Sequence, residues 1–456
     1  MQVKANSVLS HYTTKELARV LGAEFDGNDI PFVAVSTDTR KIKNKDLFVA
    51  LKGPNFDGHD YLVQAKDKGA VAAVVEHKVD CDIPQIKVAD TLAGLGQMAK
   101  ARRLSFPGKV IGLTGSNGKT TVKELIANIL AESGKVLSTK GNFNNDIGLP
   151  LTLLELENTE KFAVIEMGAN HSKEILYLSN ITQPDVALIT NAGSAHLEGF
   201  GSLQGVAKAK GEIFSGLTEN GTAIINLDDN FSGYWLSLTN QYMQKTFSLF
   251  DDKADVFASR IKSVASGNEF VLHIAEKDEV LVNLPLSGQH NVANALAAAT
   301  VASVCNLSVE QIKSGLESIH VVNGRLTLLI GLQGARVIDD TYNANLDSCK
   351  AAIDVLQAQQ GTSYFVVGDL FESGDEAERI HQELGAYAKR KQIDQLLAIG
   401  ELTQHTVNSF GDDACHFKDK NAVLAYLAPR LNENTVVLVK GSRGMKMEEL
   451  VKGLVE

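Results

Sequence analysis

One short segment constrains the fold more than any other part of the sequence. Residues 109–113 form an apolar run, KVIGL, and lead into the glycine-rich stretch TGSNGKTT at residues 114–121. Apolar residues then recur at helical spacing, as Val122, Leu125, Ile126, Ile129 and Leu130. A strand, a glycine loop and a helix in this order aim backbone amides and the positive end of the helix at a bound phosphate. The segment therefore predicts an α/β domain with a phosphate-binding loop.

Two residues of this loop carry the expected chemistry. Lys119 would reach the terminal phosphates of a nucleotide, and the Thr120 hydroxyl would hold Mg²⁺. The common spacing G-x-x-x-x-G-K-[ST] requires glycine at position 113, but this chain has Leu113, so the match is to a shorter G-x-x-G-K-T form. The alternative, a chance glycine turn, is disfavoured by the flanking strand and helix. ATP is favoured over GTP as the ligand because no N-K-x-D guanine signature lies at a suitable place.

The remaining sequence alternates short apolar runs with helix-period segments, which is typical of α/β proteins. A turn signal at Phe106-Pro107-Gly108 marks one boundary, and a second falls near residues 320–324. Beyond it, the runs ARVIDD, SYFVVGDL, QLLAIG and TVVLVKG, with ACHF at 414–417 as a weaker fifth, predict a second nucleotide-fold-like unit. We therefore predict three α/β domains: an N-terminal domain at residues 1–108, a central parallel-sheet phosphate-loop domain at residues 109–320, and a Rossmann-like C-terminal domain at residues 321–456.

Composition excludes several classes of function. Lys and Arg number 44 against 55 Asp and Glu, a net charge of −11, so the chain has no overall attraction to nucleic acid or to an anionic membrane. No apolar run approaches the ~18 residues of a membrane span, and the start lacks the apolar region of a signal peptide. The four cysteines are scattered without a C-x-x-C pair, which argues against disulfides and zinc. We expect a soluble, cytoplasmic protein that binds no nucleic acid and is not inserted in a membrane.

Two further candidates follow apolar runs in the central domain. Glu166 ends the run at residues 162–165, and His196 follows the run VALIT in a polar, glycine-bearing loop. Ligands and catalytic groups of open α/β sheets gather at the carboxyl ends of strands, which favours functional roles for both. The alternatives are a surface glutamate at a strand end and a solvated loop histidine.

Lys210 is placed unusually for a lysine. In the segment SLQGVAKAKGEIFSGL it lies four residues after Val206 and three before Ile213, inside an apolar stripe, whereas Lys208 points elsewhere. A buried lysine favours the neutral amine, which is the form that reacts with CO₂ to give a carbamate, a negatively charged metal ligand. The alternative is a lysine whose stem lies along the apolar surface while its ammonium reaches water.

Twelve motifs, in order along nearly the whole chain, resemble those of the Mur ligase family. They are STDTRKIKNKDLFVAL (36–51), NFDGH (55–59), TGSNGKTT (114–121), GNFNNDIGLP (141–150), EMGANH (166–171), AHLEGFGS (195–202), AKAKGEIF (207–214), HNVANALAA (290–298), NGR (323–325), DDTYNAN (339–345), GDLFESG (368–374) and VKGSRGMKME (439–448). Within the family, EMGANH, DDTYNAN and KGSR resemble members that add a dipeptide rather than siblings that add a single amino acid.

The resemblance implies an N-terminal UDP-sugar domain, a central ATPase domain and a C-terminal domain that receives the amino substrate. It implies an ATP-dependent peptide ligase of peptidoglycan synthesis that joins D-alanyl-D-alanine to UDP-N-acetylmuramoyl-tripeptide through an acyl phosphate, releasing ADP and phosphate. The implied cofactors are ATP and Mg²⁺, with two metal ions, and the chain is expected to be a monomer. The open alternatives are a sibling ligase that adds one amino acid, a folylpolyglutamate synthetase-like ligase, and a phosphate-loop switch without ligase chemistry.

The resemblance also implies roles for individual residues. The catalytic residues would be Lys119, Glu166, His196 and Lys210, and the metal ligands Thr120, Glu166, His196 and Lys210 as its carbamate. The ATP site would comprise Thr114, Gly115, Ser116, Asn117, Gly118, Lys119, Thr120, Thr121, Asn294, Arg325 and Asp340. The UDP-substrate side would comprise Ser36, Asp38, Arg40, Asn142, Asn145 and Asp146, and the dipeptide side Asn343, Lys440 and Arg443. Two departures from the family pattern lie on the dipeptide side: Leu346 where proline often follows DDTYNAN, and Phe371 with Ser373 in the usual E-L-G segment.

Overall fold

The computed structural model describes residues 12–25, 27–194, 197–264, 266–275, 278–320 and 323–455. Three main sheets follow one another along the chain, and helices pack against each of them. The α/β fold class predicted from the sequence is confirmed. The domain boundaries predicted at 108/109 and 320/321 fall between the sheets.

The N-terminal region is built on a small parallel sheet in the order β1-β2-β5-β6. Helix α1 begins with a capping box, in which Thr13 accepts from the Glu16 amide and the Glu16 side chain accepts from the Thr13 amide. The elements are α1 (Thr14–Val20), β1 (Val35–Ser36), β2 (Leu47–Val49), β3 (Lys52–Gly53), β4 (Phe56–Asp57), α2 (Leu62–Asp67), β5 (Ala72–Val75), β6 (Gln85–Lys87) and α3 (Thr91–Leu104).

The central region carries a nine-stranded sheet in the order β15-β14-β13-β12-β11-β10-β7-β9-β8. The strands from β8 to β13 pair in parallel, and β14 and β15 extend the sheet in antiparallel fashion. Its elements are β7 (Lys109–Thr114), α4 (Lys119–Ala131), β8 (Val136–Ser138), α5 (Gly148–Leu154), β9 (Phe162–Glu166), α6 (Glu174–Thr182), β10 (Val186–Ile189), α7 (Leu197–Phe200), α8 (Leu203–Gly211), β11 (Thr222–Asn226), α9 (Ser232–Leu238), β12 (Met243–Ser248), β13 (Val256–Val264), β14 (Gly267–Ile274), β15 (Val280–Leu284), α10 (Gln289–Val304) and α11 (Val309–Glu317).

The C-terminal region carries a six-stranded sheet in the order β16-β17-β21-β18-β19-β20. All pairs are parallel except β16 with β17, and ACHF forms β20 as the sequence predicted. Its elements are β16 (Thr327–Ile330), β17 (Arg336–Asp340), α12 (Leu346–Gln357), β18 (Thr362–Gly368), α13 (Ala377–Arg390), β19 (Gln395–Ile399), α14 (Thr403–Phe410), β20 (Ala414–Phe417), α15 (Lys420–Leu427), β21 (Thr435–Lys440) and α16 (Glu448–Val455).

The N-terminal and central regions share one hydrophobic core. Buried residues of the small sheet, such as Val74, belong to the same cluster as Leu95 on α3 and Ile165 on β9. Helix α3 therefore anchors the N-terminal region on one face of the central sheet. The opposite face is covered by α4 and α10, and residues Leu125 and Leu296 contribute to that second core. No helix in the part of the chain that the structure describes is both long and apolar enough to cross a membrane.

Candidate active site

The candidate site is a cleft of about 1640 Å³ between the central and C-terminal sheets. It lies at the carboxyl ends of parallel strands from both sheets: Glu166 ends β9, Asp340 ends β17 and Lys440 ends β21. This is the edge at which open α/β sheets bind ligands. Each sheet contributes its carboxyl edge to a single cavity, so a ligand in the cleft contacts both regions.

The phosphate loop connects β7 to α4, as the sequence predicted. Gly118 has φ +80°, a conformation that favours glycine, and it lies against the Asn294 side chain on α10. At Gly115 a Cβ atom would collide with the Thr190 hydroxyl. Leu113, the departure from the common motif, is a buried residue of β7 and lies before the loop. The shorter loop is therefore compatible with an uninterrupted strand.

Lys119 is turned back onto the loop. Its Nζ donates to the carbonyl oxygens of Gly115 at 2.7 Å and Ser116 at 3.2 Å. Burial lowers the pKa of Lys119, the Glu166 carboxylate opposes this shift, and the Arg325 guanidinium adds to it. The carbonyls are weaker acceptors than charged oxygens, so a phosphate entering the cleft can replace them as partners of the ammonium.

Glu166 is buried and held by two neighbours. Its Oε1 accepts from Asn144 Nδ2 at 2.8 Å, and its Oε2 accepts from Thr120 Oγ1 at 3.1 Å. Its backbone amide donates to the hydroxyl of Thr139 at 3.0 Å. The structure thus brings Thr120 and Glu166 together, as the resemblance implied, and adds Asn144, to which the sequence reasoning assigned no role.

Arg325 reaches across from the C-terminal region to the same group. Its Nη2 donates to Thr120 Oγ1 at 2.9 Å, and the guanidinium lies over the Tyr342 ring, 4.2 Å from the ring centroid. Its Nε is buried and has no hydrogen-bond partner among the described residues. A cation with an unused donor, next to the phosphate loop, is suited to an anionic ligand.

A second cluster lies on the C-terminal side of the cleft. Lys440 pairs with Asp340 and donates to the Asn343 carbonyl at 3.0 Å, and its side chain is 2% exposed. Burial raises the pKa of Asp340, and the Lys440 ammonium counteracts this shift. The Asn343 Oδ1 accepts from the Arg443 amide at 3.2 Å, which ties DDTYNAN to the KGSR segment.

Lys210 is on the inward face of α8, as its spacing predicted. It is 1% exposed, while Lys208 is exposed. Its Nζ lies over the Phe200 ring, 5.5 Å from the centroid, and has no hydrogen-bond partner among the residues that the structure describes. Burial and the charge of Lys119 lower its pKa to about 7, against the opposing effect of Glu174 and Glu212. About half of the amine is therefore neutral at pH 7, and the neutral amine is the state that reaction with CO₂ requires.

Among the residues that the structure describes, no group of three or more His, Cys, Asp or Glu side chains is placed to hold a metal ion. The neighbouring oxygens of Thr120 and Glu166 are the hard ligands that Mg²⁺ prefers, and these two residues fit the ion. Lys210 is not among the residues that line the cleft, and its Nζ lies over the Phe200 ring, 5.5 Å from the ring centroid. His196 lies outside the described residues, so its predicted role as a ligand stays a prediction.

The residues predicted for the UDP-substrate side fall into two groups. Asn142, Asn145 and Asp146 line the cleft. The other three residues, Ser36, Asp38 and Arg40, do not line the cleft and lie at a turn after β1. There the Arg40 guanidinium donates two hydrogen bonds to the Asp38 carboxylate, both at 2.9 Å, and Ser36 Oγ donates to the Asp38 carbonyl at 3.0 Å. The Arg40 side chain lowers the pKa of Asp38 to about 2.

The two groups remain close to each other. Lys41, next to Arg40, holds its ammonium over the ring of Phe143 at 5.7 Å from the centroid, and Phe143 lies in the loop between Asn142 and Asn145. The turn after β1 therefore borders the side of the cleft that faces the N-terminal region. A long ligand could extend from the cleft onto this turn.

The start of α12 contacts the phosphate loop and the segment after β10, and the sequence analysis did not predict either contact. Asn345 Nδ2 donates to Asn117 Oδ1 at 2.8 Å, and the Ser194 amide donates to Asp347 Oδ2 at 2.9 Å. Asn345 is part of DDTYNAN, so the motif pointed to its region. Its partner lies 228 positions away in the chain, and only the folded structure shows that the two meet.

The fold and the site define a phosphate-loop protein of the α/β class, with a ligand cleft between a nucleotide-type central domain and a Rossmann-like domain. Three family models match consecutive segments: "Mur ligase family, catalytic domain" at residues 31–103, "Mur ligase middle domain" at residues 113–302, and "Mur ligase, glutamate ligase domain" at residues 324–443. The chain belongs to the Mur ligase family.

Relatives of known function share nearly the whole chain. The UDP-N-acetylmuramoyl-tripeptide–D-alanyl-D-alanine ligase of Escherichia coli K12 is 45% identical, over 97% of this chain and 98% of that protein. The crystal structure of MurF from Acinetobacter baumannii has a TM-score of 0.92 at 36% identity, covering 97% of this chain and 98% of that one. MurF of Thermotoga maritima, in complex with ADP, has a TM-score of 0.83 at 28% identity, covering 92% and 96%.

Proposed function

We propose that this protein is the ligase that uses ATP to join D-alanyl-D-alanine to UDP-N-acetylmuramoyl-tripeptide, giving the UDP-muramoyl-pentapeptide for peptidoglycan synthesis in the cytoplasm. The observation that carries the proposal is the single cleft in which the phosphate loop, the buried Glu166 and the Lys440–Asp340 pair face one another. The 45% identity over 97% of the chain to a ligase of that name supports the choice of substrates.

The proposed reaction has two steps. An oxygen of the tripeptide's terminal carboxylate forms a bond to the γ-phosphorus of ATP, the bond to ADP breaks, and an acyl phosphate results. The amine of the dipeptide then attacks the acyl carbon, loses a proton, and phosphate leaves as the amide forms. The first step brings several negative charges together, and Lys119 with Arg325 offsets their repulsion at the phosphate loop.

Thr120, Glu166 and Lys210, the last as its carbamate, would hold Mg²⁺, with His196 as a further ligand. When bound, Mg²⁺ supplies positive charge to the phosphate oxygens as negative charge develops there. Formation of the carbamate is balanced: the neutral Lys210 amine bonds to the carbon of CO₂ and releases one proton. The protein's own contribution is to keep that amine buried and to lower its pKa to about 7, which increases the neutral fraction of the amine.

The N-terminal and C-terminal sides of the cleft would each bind one of the two substrates that are joined. Asn142, Asn145 and Asp146 line the cleft toward the N-terminal region and are proposed to bind the UDP-muramoyl-peptide, with Ser36, Asp38 and Arg40 beyond them. Asn343, Lys440 and Arg443 line the other side and are proposed to bind the dipeptide. An acyl phosphate is hydrolysable, so a cleft that closes between domains protects it from water.

The test is an assay of phosphate release from ATP with each substrate omitted in turn. We expect release only when UDP-muramoyl-tripeptide and D-alanyl-D-alanine are both present, with a pentapeptide product of the matching mass. We expect Lys119→Ala to lower the rate by ~10²–10³-fold, because one charge that stabilises the transferring phosphate is lost. Lys208→Ala, an exposed lysine on α8, is the control and should retain the wild-type rate.

Two outcomes would reject the proposal. Equal turnover with either substrate omitted would point to a plain ATPase or a switch, and turnover with a single amino acid in place of the dipeptide would favour a sibling ligase. Ligation that survives Lys119→Ala would show that the phosphate-loop assignment is wrong.

A further inference from the structure

We propose that Phe371 recognises the methyl group of the C-terminal residue of the incoming dipeptide and so selects alanine at that position. The inference rests on the function proposed above and assigns a specificity-determining residue within it. Phe371 follows β18, lines the cleft and is 45% exposed. An aromatic ring left half-exposed in the wall of a cleft is apolar surface that a bound ligand would cover.

The turn that carries Phe371 is held by hydrogen bonds to neighbouring residues. The Phe371 amide donates to Ser442 Oγ at 2.8 Å, and Ser373 Oγ donates to the Leu370 carbonyl at 3.1 Å. Glu372 has φ +61°, a left-handed conformation that is unfavourable for a residue other than glycine. Such backbone conformations persist where the surroundings impose them, and they are frequent in binding sites. The backbone that carries the ring is therefore fixed by contacts within the protein.

The neighbours of the ring define what it could bind. The ring lies against Gly444, where a Cβ atom would be 3.0 Å from Phe371 Cε2, so the glycine leaves room for it. The adjacent Arg443 also lines the cleft, and its side chain is 63% exposed, with an ion pair to Glu448 at 3.4 Å. A guanidinium and an apolar ring in the lining of the same cleft suit a group that has a free carboxylate and a small apolar side chain.

The reaction sets the direction of the dipeptide. Its amine must face the phosphate loop, because the acyl phosphate forms there, so its carboxylate lies at the opposite end. We place that carboxylate at Arg443, and the C-terminal residue then directs its side chain at Phe371. The side chain of D-alanine is a methyl group, and in this arrangement it makes an apolar contact with the Phe371 ring.

The experiment measures kcat/KM for D-Ala-D-Ala, D-Ala-Gly and Gly-D-Ala with wild-type protein, Phe371→Ala, Phe371→Leu and the control Phe250→Ala. Phe250 is 76% exposed and is not among the residues that line the cleft. We expect wild type and the control to prefer D-Ala-D-Ala over D-Ala-Gly by about fourfold or more, the value of one buried methyl group. In Phe371→Ala this preference should fall to about one, and Phe371→Leu should be intermediate.

Two further readouts distinguish substrate recognition from a structural role. The loss in Phe371→Ala should lie in the KM for the dipeptide, while kcat, the KM for ATP and the preference over Gly-D-Ala stay at wild-type values. The ring is exposed, so the thermal midpoint should also be unchanged. A wild-type preference retained in Phe371→Ala, or a change confined to Gly-D-Ala, would overturn the inference. A wild-type protein that ligates no dipeptide would instead show that the proposed function has failed.

Discussion

At the scale of single residues, the most informative side chain is Lys210. An aliphatic residue at this place in the stripe would pack without the cost of burying an amine. The chain instead has a lysine that is 1% exposed and that makes no side-chain hydrogen bond within the described part of the chain. Its pKa is lowered to about 7 by burial and by Lys119. A buried polar group without a partner requires an explanation, and the proposed carbamate supplies one, since its oxygens can be ligands.

We expect Lys210→Ala to lose most ligase activity and to recover part of it when short-chain carboxylates are added, because a free carboxylate can replace the carbamate oxygens. Lys208→Ala, two positions away on the exposed face, should retain full activity. A readout independent of turnover is NMR in isotopically labelled CO₂, where wild type should show a carbamate carbon that Lys210→Ala lacks. A wild-type spectrum without that signal, in the presence of nucleotide and magnesium, would contradict the assignment.

At the scale of elements, Asn345 at the start of α12 has two structural tasks: it caps the helix, and it contacts the phosphate loop. Asn345 is the N-cap of α12: the side-chain oxygen accepts from the Ser348 amide at 2.9 Å, which stabilises the helix. The amide nitrogen of the same side chain donates to Asn117 in the phosphate loop. The helix start is thus also the point at which the C-terminal region contacts the loop.

Two substitutions at Asn345 separate these tasks. Asn345→Ala removes both, and we expect it to lower the free energy of unfolding by ~1 kcal/mol, the usual value of an N-cap. Asn345→Asp keeps the capping oxygen but loses the donor to Asn117, so its unfolding free energy should stay within ~0.5 kcal/mol of wild type. The measurement is chemical denaturation without nucleotide. Equal destabilisation by both substitutions would mean that the contact with Asn117, and not the cap, stabilises this region.

At the scale of the whole molecule, function depends on how the domains meet at the cleft. Asn345 with Asn117, Asp347 with Ser194 and Arg325 with Thr120 join the C-terminal region to the nucleotide side of the central region. The proposed ATP site is therefore completed only when the C-terminal domain is in place.

A double-mutant cycle of Asn117→Ala and Asn345→Asp tests this coupling. Each single substitution should weaken binding of a non-hydrolysable ATP analogue, and the double variant should lose less than the sum, with a coupling of at least ~0.5 kcal/mol, because the second substitution removes a contact that is already lost. The measurement is titration calorimetry with magnesium. Asn408→Ala, on α14 and away from the cleft, should be additive with Asn117→Ala. Additivity of Asn117→Ala with Asn345→Asp would show that the contact between Asn117 and Asn345 does not affect nucleotide binding.

Much of the fold followed from local patterns. The strand–loop–helix unit at β7 and α4, the position of Glu166 at the end of β9, and the inward face of Lys210 are confirmed, since each depends on residues close in sequence. The antiparallel strands β14, β15 and β16 were not predicted. Strand direction depends on which partner a segment finds in the sheet, and a periodic pattern carries no such information.

In the site, too, some features follow from local sequence and others only from tertiary packing. Local sequence alone determined the phosphate loop, its helix and the inward helix face on which Lys210 lies, because the geometry of a tight turn and the spacing of a helix face are set within a few residues. Only the tertiary structure decided that Asn345 meets Asn117, that Arg325 reaches Thr120, and that Ser36 lies outside the cleft that Asn142 lines. These outcomes depend on the packing of whole domains, where contacts between residues hundreds of positions apart form together or not at all.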